Sequence, residues 1–246
     1  MIKQLSPSEA TALKSGVVER LQKAKIPYRR FDKLDKRLSA YIRECIKHPK
    51  KHNVYELLSI ECFLHKVERY VLRDEKVLHF ITFYEHIRLP SAEGMVLFEL
   101  TPVQVFQFTN IFWFYHEDGE RRLVRDVLLF VPRKFSKTTS IATLSVYDLL
   151  YGDANAESYV GSNSYQQSQV CFGVISKILR ALDPQLKRFK INREQVFNRM
   201  PGKMSIARCL SSAADRLDGL NASLVIIDEY AQAESDALKS VLTSSM

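Results

Sequence analysis

Two short stretches contain the residue types that phosphate chemistry requires. The first, VPRKFSKT, ends in Lys137 and Thr138. A lysine there can reach phosphate oxygens, and a threonine hydroxyl can ligate Mg²⁺. The second, LVIIDE, ends in Asp228 and Glu229. In phosphate-cleaving enzymes the first carboxylate supports Mg²⁺, and a following glutamate can act as a general base toward water. The two stretches together indicate a site that binds and hydrolyses a nucleoside triphosphate.

The first stretch departs from the usual phosphate-binding loop. That loop reads G-x-x-x-x-G-K-[ST], whereas Val131 and Ser136 occupy both glycine positions here. Glycines let the backbone wrap closely around phosphates, and Pro132 lacks an N–H that could donate to them. The alternative interpretation is a basic turn that ends in Lys-Thr by chance. The residues alone leave open how well this loop holds a triphosphate.

Strands and helices alternate around both stretches. RLVRDVLLFV predicts a strand before the loop, and SKTTSIATLSVYDLLYGD predicts a helix after it that ends at Gly152. A short strand (ESYVGS), a helix that stops at Pro184, a possible strand (KMSIARCLSS) and the apolar strand ASLVIIDEY follow. The alternation predicts an α/β fold with a mostly parallel central sheet flanked by helices. Ligands bind outside the carboxyl ends of strands in such sheets, although an acidic strand end that merely meets solvent is the alternative.

A helical region precedes this α/β part. Apolar residues at three-to-four spacing predict helices through residues 1–90, and RLPSAEG at 88–94 interrupts the pattern. We therefore expect an N-terminal helical region over residues 1–90 and an ATPase core over residues 91–246. The segment ESDALKSVLTSSM predicts one more helix at the end of the core.

Charge and cysteine content narrow the class of partner. The net charge is +8, and residues 20–51 contain twelve Lys/Arg against three Asp/Glu. Such an excess favours an acidic partner, with nucleic acid the obvious one, or else a solvated helix surface. The four cysteines form no CxxC pair, which indicates neither a zinc site nor a disulfide framework and favours a reducing compartment.

Taken together, the motifs resemble the ATPase domain of the large terminase subunit of tailed bacteriophages, over about residues 60–246. The family's loop opens with Arg-Lys and often has Asn-Gly before Lys-Ser/Thr. The chain keeps Arg133, Lys134, Lys137 and Thr138, and has Phe135 and Ser136 in place of the Asn-Gly. The segments LTPVQVFQFTNIFWFYHEDGERRLVRDVLLFV, VGSNSYQQSQVCF and LSSAADRLDGLNASLVIIDEYAQ resemble other conserved parts of that domain. The resemblance implies a P-loop NTPase fold of the ASCE type.

The resemblance also implies roles for the matching residues. The phosphate loop would comprise residues 133–139, that is Arg133, Lys134, Phe135, Ser136, Lys137, Thr138 and Thr139. Thr138 and Asp228 would hold Mg²⁺, the latter through water, and Glu229 would be the catalytic carboxylate. Arg133 would neutralise charge in the transition state of its own or a neighbouring subunit, or else simply support the bound phosphates. Gln104, in the family's Pro-x-Gln position, would read adenine through its amide.

The function that the resemblance implies is an ATP-hydrolysing, Mg²⁺-dependent motor that packages double-stranded viral DNA into a capsid. Expected partners are DNA, further copies of the chain in a ring, the portal protein and the small terminase subunit. The expected location is the cytoplasm of the infected bacterium, transiently at the procapsid portal. The full-length protein would add a C-terminal metal-dependent endonuclease, and the last strands of the sheet would follow Met246.

Two other functions stay open at this point. One is a helicase-like P-loop remodeller that opens DNA duplexes. The other is a degenerate P-loop module that binds DNA or a protein partner and hydrolyses nothing, which the absent glycines favour and the intact Lys137, Thr138, Asp228 and Glu229 oppose.

Overall fold

A computed structural model describes residues 6–132, 134–162, 164–210, 220–230 and 239–240. The chain forms two units that alternate along the sequence. The first unit comprises residues 1–82 and 99–128, and the second comprises residues 83–98 and 129–246. The division into domains at residues 1–90 and 91–246 stays a prediction. No helix among the described residues is both long and apolar enough to cross a lipid bilayer.

The first unit is mainly helical. Its helices are α1 (Pro7–Lys23), α2 (Tyr28–Leu34), α3 (Lys36–Lys47), α4 (Val54–Arg69), the first part of α5 (Asp74–His86) and α6 (Pro102–Phe112). A 3-10 turn spans Pro49–Lys51, and the short strands β1 (Val71–Leu72) and β4 (Phe114–Tyr115) pair antiparallel. Capping boxes in which Ser6, Asn53 and Thr101 pair with the residue three positions later start α1, α4 and α6.

An aromatic cluster forms the core of the first unit. The ring of Phe63 lies 5.6 Å from that of Phe31 and 5.7 Å from that of Trp113. The indole of Trp113 donates to Asp74 at 2.7 Å, and Arg30 binds the same carboxylate through two hydrogen bonds of 2.6 Å. The polar atoms of this cluster are therefore paired where burial would otherwise make them costly.

The second unit contains a five-stranded sheet. The hairpin of β2 (Arg88–Ser91) and β3 (Gly94–Leu97) precedes it, and α7 (Lys137–Tyr151) and α8 (Tyr165–Leu182) pack on it. The sheet strands are β5 (Glu157–Ser162), β6 (Phe189–Ile191), β7 (Gln195–Asn198), β8 (Ile206–Cys209) and β9 (Leu224–Asp228), in the order β6-β7-β8-β5-β9. Strand β5 is almost wholly buried and pairs parallel with both β8 and β9.

Two predicted helix ends are confirmed. Helix α7 ends at Tyr151 and is capped by Gly152, where a Cβ would lie 2.5 Å from the carbonyl oxygen of Asp148. Only glycine fits that close approach. Helix α8 ends at Leu182, two residues before Pro184, as the proline predicts.

The predicted mostly parallel sheet is only partly correct, because the sheet is mixed. Strands β8, β5 and β9 are parallel, whereas β6, β7 and β8 pair antiparallel. Three residues separate β6 from β7, and seven separate β7 from β8. A parallel pair needs a crossover of about a dozen residues or more, so links this short impose antiparallel pairing.

The predicted strand RLVRDVLLFV is wrong for the described structure. Arg122 forms an isolated bridge with Tyr115, and no strand spans residues 123–132. Val127, Leu128 and Phe130 are 54%, 74% and 92% exposed. The segment has the composition of a buried strand, but it forms no ladder with any described strand.

This exposure makes a prediction about stability. Phe130→Ala should change the free energy of unfolding by no more than about 0.5 kcal/mol, because the ring loses little burial. The matched change Phe172→Ala, at a side chain that is 2% exposed on α8, should cost about 3–5 kcal/mol. Urea unfolding followed by circular dichroism measures both. Equal losses would contradict the exposed position of Phe130.

Candidate nucleotide-binding site

The described structure brings the basic loop and the acidic strand end together. Helix α7 begins at Lys137, and β9 ends at Asp228. The ammonium of Lys137 lies 2.8 Å from Glu229 Oε1 and 2.9 Å from Asp228 Oδ1. Residues about 90 positions apart in the chain therefore form one ion-pair cluster at the carboxyl end of β9, where ligands bind in α/β sheets.

Asp228 is the most enclosed member of the cluster. Its side chain is 6% exposed, against 45% for Glu229. The hydroxyl of Thr138 donates to Asp228 Oδ2 at 3.2 Å, and the backbone N–H of Glu229 donates to Asp228 Oδ1 at 3.0 Å. With Lys137 these donors satisfy both carboxylate oxygens, which a buried charge requires.

The same contacts set the charge state of Lys137. Burial alone would lower the pKa of Lys137, but the hydrogen bonds to Glu229 and Asp228 outweigh it and raise the pKa above its ordinary value. Lys137 therefore carries its positive charge throughout the physiological pH range. Its ammonium contacts the carboxylates of Glu229 and Asp228.

The loop adopts backbone conformations that glycine would normally supply. Lys134 has φ 67°, and Ser136, at the N-cap of α7, has φ 59° and ψ 28°. Both lie in the left-handed region, which disfavours residues with a Cβ. Glu229, directly after β9, also has a positive φ of 55°. Non-glycine residues in strained conformations thus cluster at the ion pairs, a pattern common at functional sites.

The end of β5 lies beside the acidic pair. Ser162 is opposite Asp228 in the β5–β9 register and is fully buried. Its hydroxyl donates to Gln167 Oε1 at 3.0 Å, and Ser164 caps α8 by accepting from the Gln167 N–H. Helices α7 and α8 therefore both begin at this end of the parallel strands, and a helix N-terminus favours anions.

Sequence reasoning did not single out Ser162 or Cys171. Burial raises the pKa of the Cys171 thiol, and the Asp228 carboxylate raises it further. This buried thiol is therefore protonated and does not act as a nucleophile. The only signal for Ser162 in the sequence is its place at the end of an apolar strand, two residues before a helix-capping serine.

The remaining predicted residues fall in different places. Phe135 and Thr139 are half-buried beside Lys137, and Lys134 is exposed. Arg133 lies outside the described residues, as do 231–238 and 241–246, which include most of the helix predicted from ESDALKSVLTSSM. Gln104 belongs to the first unit, where its Oε1 accepts from the N–H and hydroxyl of Thr101 at 3.0 and 2.8 Å. Its role toward adenine stays a prediction.

Comparisons with known proteins identify a matching family and a similar fold. The family model described as terminase large subunit, ATPase domain, matches residues 102–246. The fold is similar to that of the large terminase of bacteriophage HK97, with a TM-score of 0.55 and 22% identity over 71% of this chain. The present chain covers 35% of that structure's length. No curated protein matches the sequence.

Two further solved structures are from Thermus phage P74-26. They are the large terminase ATPase domain and a mutant of it, with TM-scores of 0.36 and 0.37 and identities of 22% and 20%. Each similarity covers 46% of this chain, and it covers 52% and 53% of the respective structures.

The strained loop makes a prediction about stability. Ser136→Gly should raise the free energy of unfolding by about 1 kcal/mol, because glycine adopts the left-handed conformation without the steric cost of a Cβ. Ser136→Ala is the matched control, since it keeps the Cβ and hence the strain. Urea unfolding of both variants checks this, and an Ala variant as stable as the Gly variant would show that the backbone of Ser136 is not strained.

Proposed function

The chain belongs to the family of terminase large-subunit ATPase domains, and from that premise we propose that it hydrolyses ATP to drive double-stranded viral DNA into a capsid. The observation that carries this proposal is the convergence of Lys137, Thr138, Asp228 and Glu229 at one strand end. Each of the four has the chemistry that a triphosphate site needs at that place.

The triphosphate would bind where Lys137 now meets the acidic pair. Its anionic oxygens compete with the carboxylates for the ammonium, and the N-terminus of α7 adds N–H donors aimed at the same place. Binding thus exchanges two internal ion pairs for ion pairs to the substrate. The lysine needs no change of protonation for this exchange, since its pKa is raised.

The donor set fits Mg²⁺. Among the described residues no cluster of three His, Cys, Asp or Glu could hold a metal ion, but Mg²⁺ commonly takes only one or two protein ligands beside water and phosphate. The hydroxyl of Thr138 and the carboxylate of Asp228 are 3.2 Å apart and offer the oxygen ligands that Mg²⁺ prefers. When bound, the ion would offset negative charge on the β- and γ-phosphates.

Glu229 is suited to act on the attacking water. Once phosphate draws Lys137 away, the half-exposed Glu229 carboxylate is free to accept a hydrogen bond from water. The water oxygen would form a bond to the γ-phosphorus as the bond to the β–γ bridging oxygen breaks. Glu229 would orient the water for this in-line attack and accept its proton, and the electron pair of the broken bond would stay on the β-phosphate oxygen, so that ADP and inorganic phosphate result.

Other roles follow from family membership and belong to the same proposal. Gln104 would contact adenine, and Arg133 would approach the triphosphate of its own or an adjacent subunit. The chain would act in a ring at the portal of the procapsid, in the host cytoplasm, together with the small terminase subunit. A C-terminal endonuclease would belong to the whole protein.

The loop supports a second candidate, a module that binds DNA or a protein and does not hydrolyse ATP. Its missing glycines and the two ion pairs that Lys137 makes with Asp228 and Glu229 would both weaken nucleotide binding. Isothermal titration of the folded chain with Mg-ATP separates the two candidates. A measurable heat of binding with subsequent turnover supports the ATPase, and absence of binding supports the module.

The catalytic assignment predicts the behaviour of one variant. Glu229→Gln should keep Mg-ATP affinity or raise it by no more than a few-fold, because the change removes a carboxylate that competes for Lys137 and removes no contact to the triphosphate. It should lower kcat by at least about 100-fold, because the amide cannot serve as a general base. Phosphate release and calorimetric titration measure the two quantities. The matched control is Glu93→Gln, an exposed glutamate in the turn between β2 and β3, and turnover of Glu229→Gln near that of the control would refute the assignment.

A further inference from the structure

The basic segment 20–51 does not neutralise all its charge internally. Four of its cations have close carboxylate partners: Arg20 with Glu61, Lys23 with Glu19, Arg30 with Asp74 and Arg37 with Asp35, at 2.5–2.7 Å. Arg43 and Lys51 have only long contacts, at 4.0 Å to Asp32 and 3.7 Å to Glu44. Six more have no carboxylate partner in the part of the chain that the structure describes: Lys25, Arg29, Lys33, Lys36, Lys47 and Lys50.

The cations without close partners on α3 share one face. Lys36, Ala40, Arg43 and Lys47 are spaced by four, three and four residues, which places them on one side of a helix. All four are exposed, whereas the other side of α3 buries Leu38, Ile42 and Cys45. The helical rise separates Lys36 from Arg43 by about 10 Å and Arg43 from Lys47 by about 6 Å along the axis.

Helix α2 extends this surface. The guanidinium of Arg43 stacks on the ring of Tyr28 at 3.7 Å, so the start of α2 lies beside the middle of the α3 face. Arg29 and Lys33, one helical turn apart on α2, are exposed. Stacking on Tyr28 holds the planar guanidinium in place, which reduces the entropy that phosphate binding would cost.

We propose that this basic face, defined as Arg29, Lys33, Lys36, Arg43 and Lys47, binds the phosphate backbone of double-stranded DNA. The choice of DNA as the polyanion rests on the proposed function. DNA carries one charge per about 1.7 Å of its axis, so cations spaced 6–10 Å apart along α3 can each find a phosphate. Binding through such contacts is independent of base sequence.

The composition of the face favours DNA over an acidic protein. Protein interfaces have a core of aromatic and apolar side chains. Residues 20–51 are all described, and none of their large apolar side chains is exposed. The acid on α3, Glu44, lies 3.7 Å from both His48 and Lys51. A surface with charge but without apolar anchors suits a phosphate backbone.

The test compares two triple variants of the 1–246 chain. Lys36→Gln/Arg43→Gln/Lys47→Gln neutralises the basic face, and Lys187→Gln/Lys190→Gln/Arg193→Gln removes the same charge from exposed positions of the second unit. Fluorescence anisotropy with a labelled 30-base-pair duplex gives the affinity over a range of salt concentrations. A double variant, Lys36→Gln/Lys47→Gln, keeps the Arg43–Tyr28 stack and so guards against misfolding.

The expected result is specific to the basic face. The triple variant of the basic face should reduce the magnitude of the negative slope of log K against log salt by about 2–3, roughly 0.9 per lost phosphate contact. The double variant should reduce it by about 1.8. Affinity should fall by at least about tenfold, while the second-unit variant stays near the wild type. Equal effects of the two triple variants, an unchanged slope, or no DNA binding by the wild type would overturn the proposal.

ATP turnover without DNA separates this inference from the proposed function. All three variants should hydrolyse ATP at the wild-type basal rate, because none of the changed residues belongs to the candidate site. If the variants of the basic face hydrolyse ATP at the basal rate and still bind DNA normally, the DNA-binding role of the face is refuted and the ATPase assignment stands. If DNA binding depends on the basic face but the chain does not hydrolyse ATP, the DNA-binding role of the face is supported and the proposed ATPase activity is refuted.

Discussion

The buried negative charge of Asp228 is the constraint on which the site depends. A carboxylate that is 6% exposed at the end of a buried strand must be matched by donors and a cation. Lys137, Thr138 and the Glu229 N–H supply them. The proposed Mg²⁺ and triphosphate would supply a different set. Lys137 cannot serve Asp228, Glu229 and phosphate fully at once, so the proposed binding of a triphosphate would require Asp228 to exchange partners.

The architecture of the second unit follows from this requirement. Parallel pairing of β9 with the buried β5 fixes the position of Asp228. Helix α7 begins at Lys137, whose ammonium pairs with this carboxylate. The chain accepts left-handed conformations at Ser136 and Glu229 to bring the two ends together. Glycine would adopt the left-handed conformation of Ser136 without the steric cost of a Cβ, so the departure from the motif adds strain to the loop at this position.

The sequence predicted the helix ends and the convergence of the two motifs correctly, but not the mixed sheet. Gly152 and Pro184 end helices for steric reasons that act within one turn, so the sequence alone sufficed. The pairing of Lys137 with the acidic strand end followed from two motifs in the right order. The mixed sheet was not predicted, because the sequence analysis did not identify β7, whose three-residue link to β6 imposes antiparallel pairing.

Other features depend on partners that no local pattern specifies. Residues 122–131 have the apolar composition of a central strand, yet a strand exists only where another lies beside it, and Phe130 stands 92% exposed. Gln104 fits both an adenine contact and the capping box that it forms with Thr101, since one side chain can satisfy either pattern. The loop conformation at Lys134 was likewise invisible, because the motif reports residue types and not dihedral angles.

If the proposed function is correct, Lys137 exchanges the acidic pair for the phosphates of ATP. A crystal structure of the chain with Mg²⁺ and a non-hydrolysable ATP analogue would show this exchange. We expect the ammonium of Lys137 to leave Glu229 for a β- or γ-phosphate oxygen, with the metal beside Thr138 and Asp228. A nucleotide bound elsewhere while Lys137 keeps both carboxylates would contradict it.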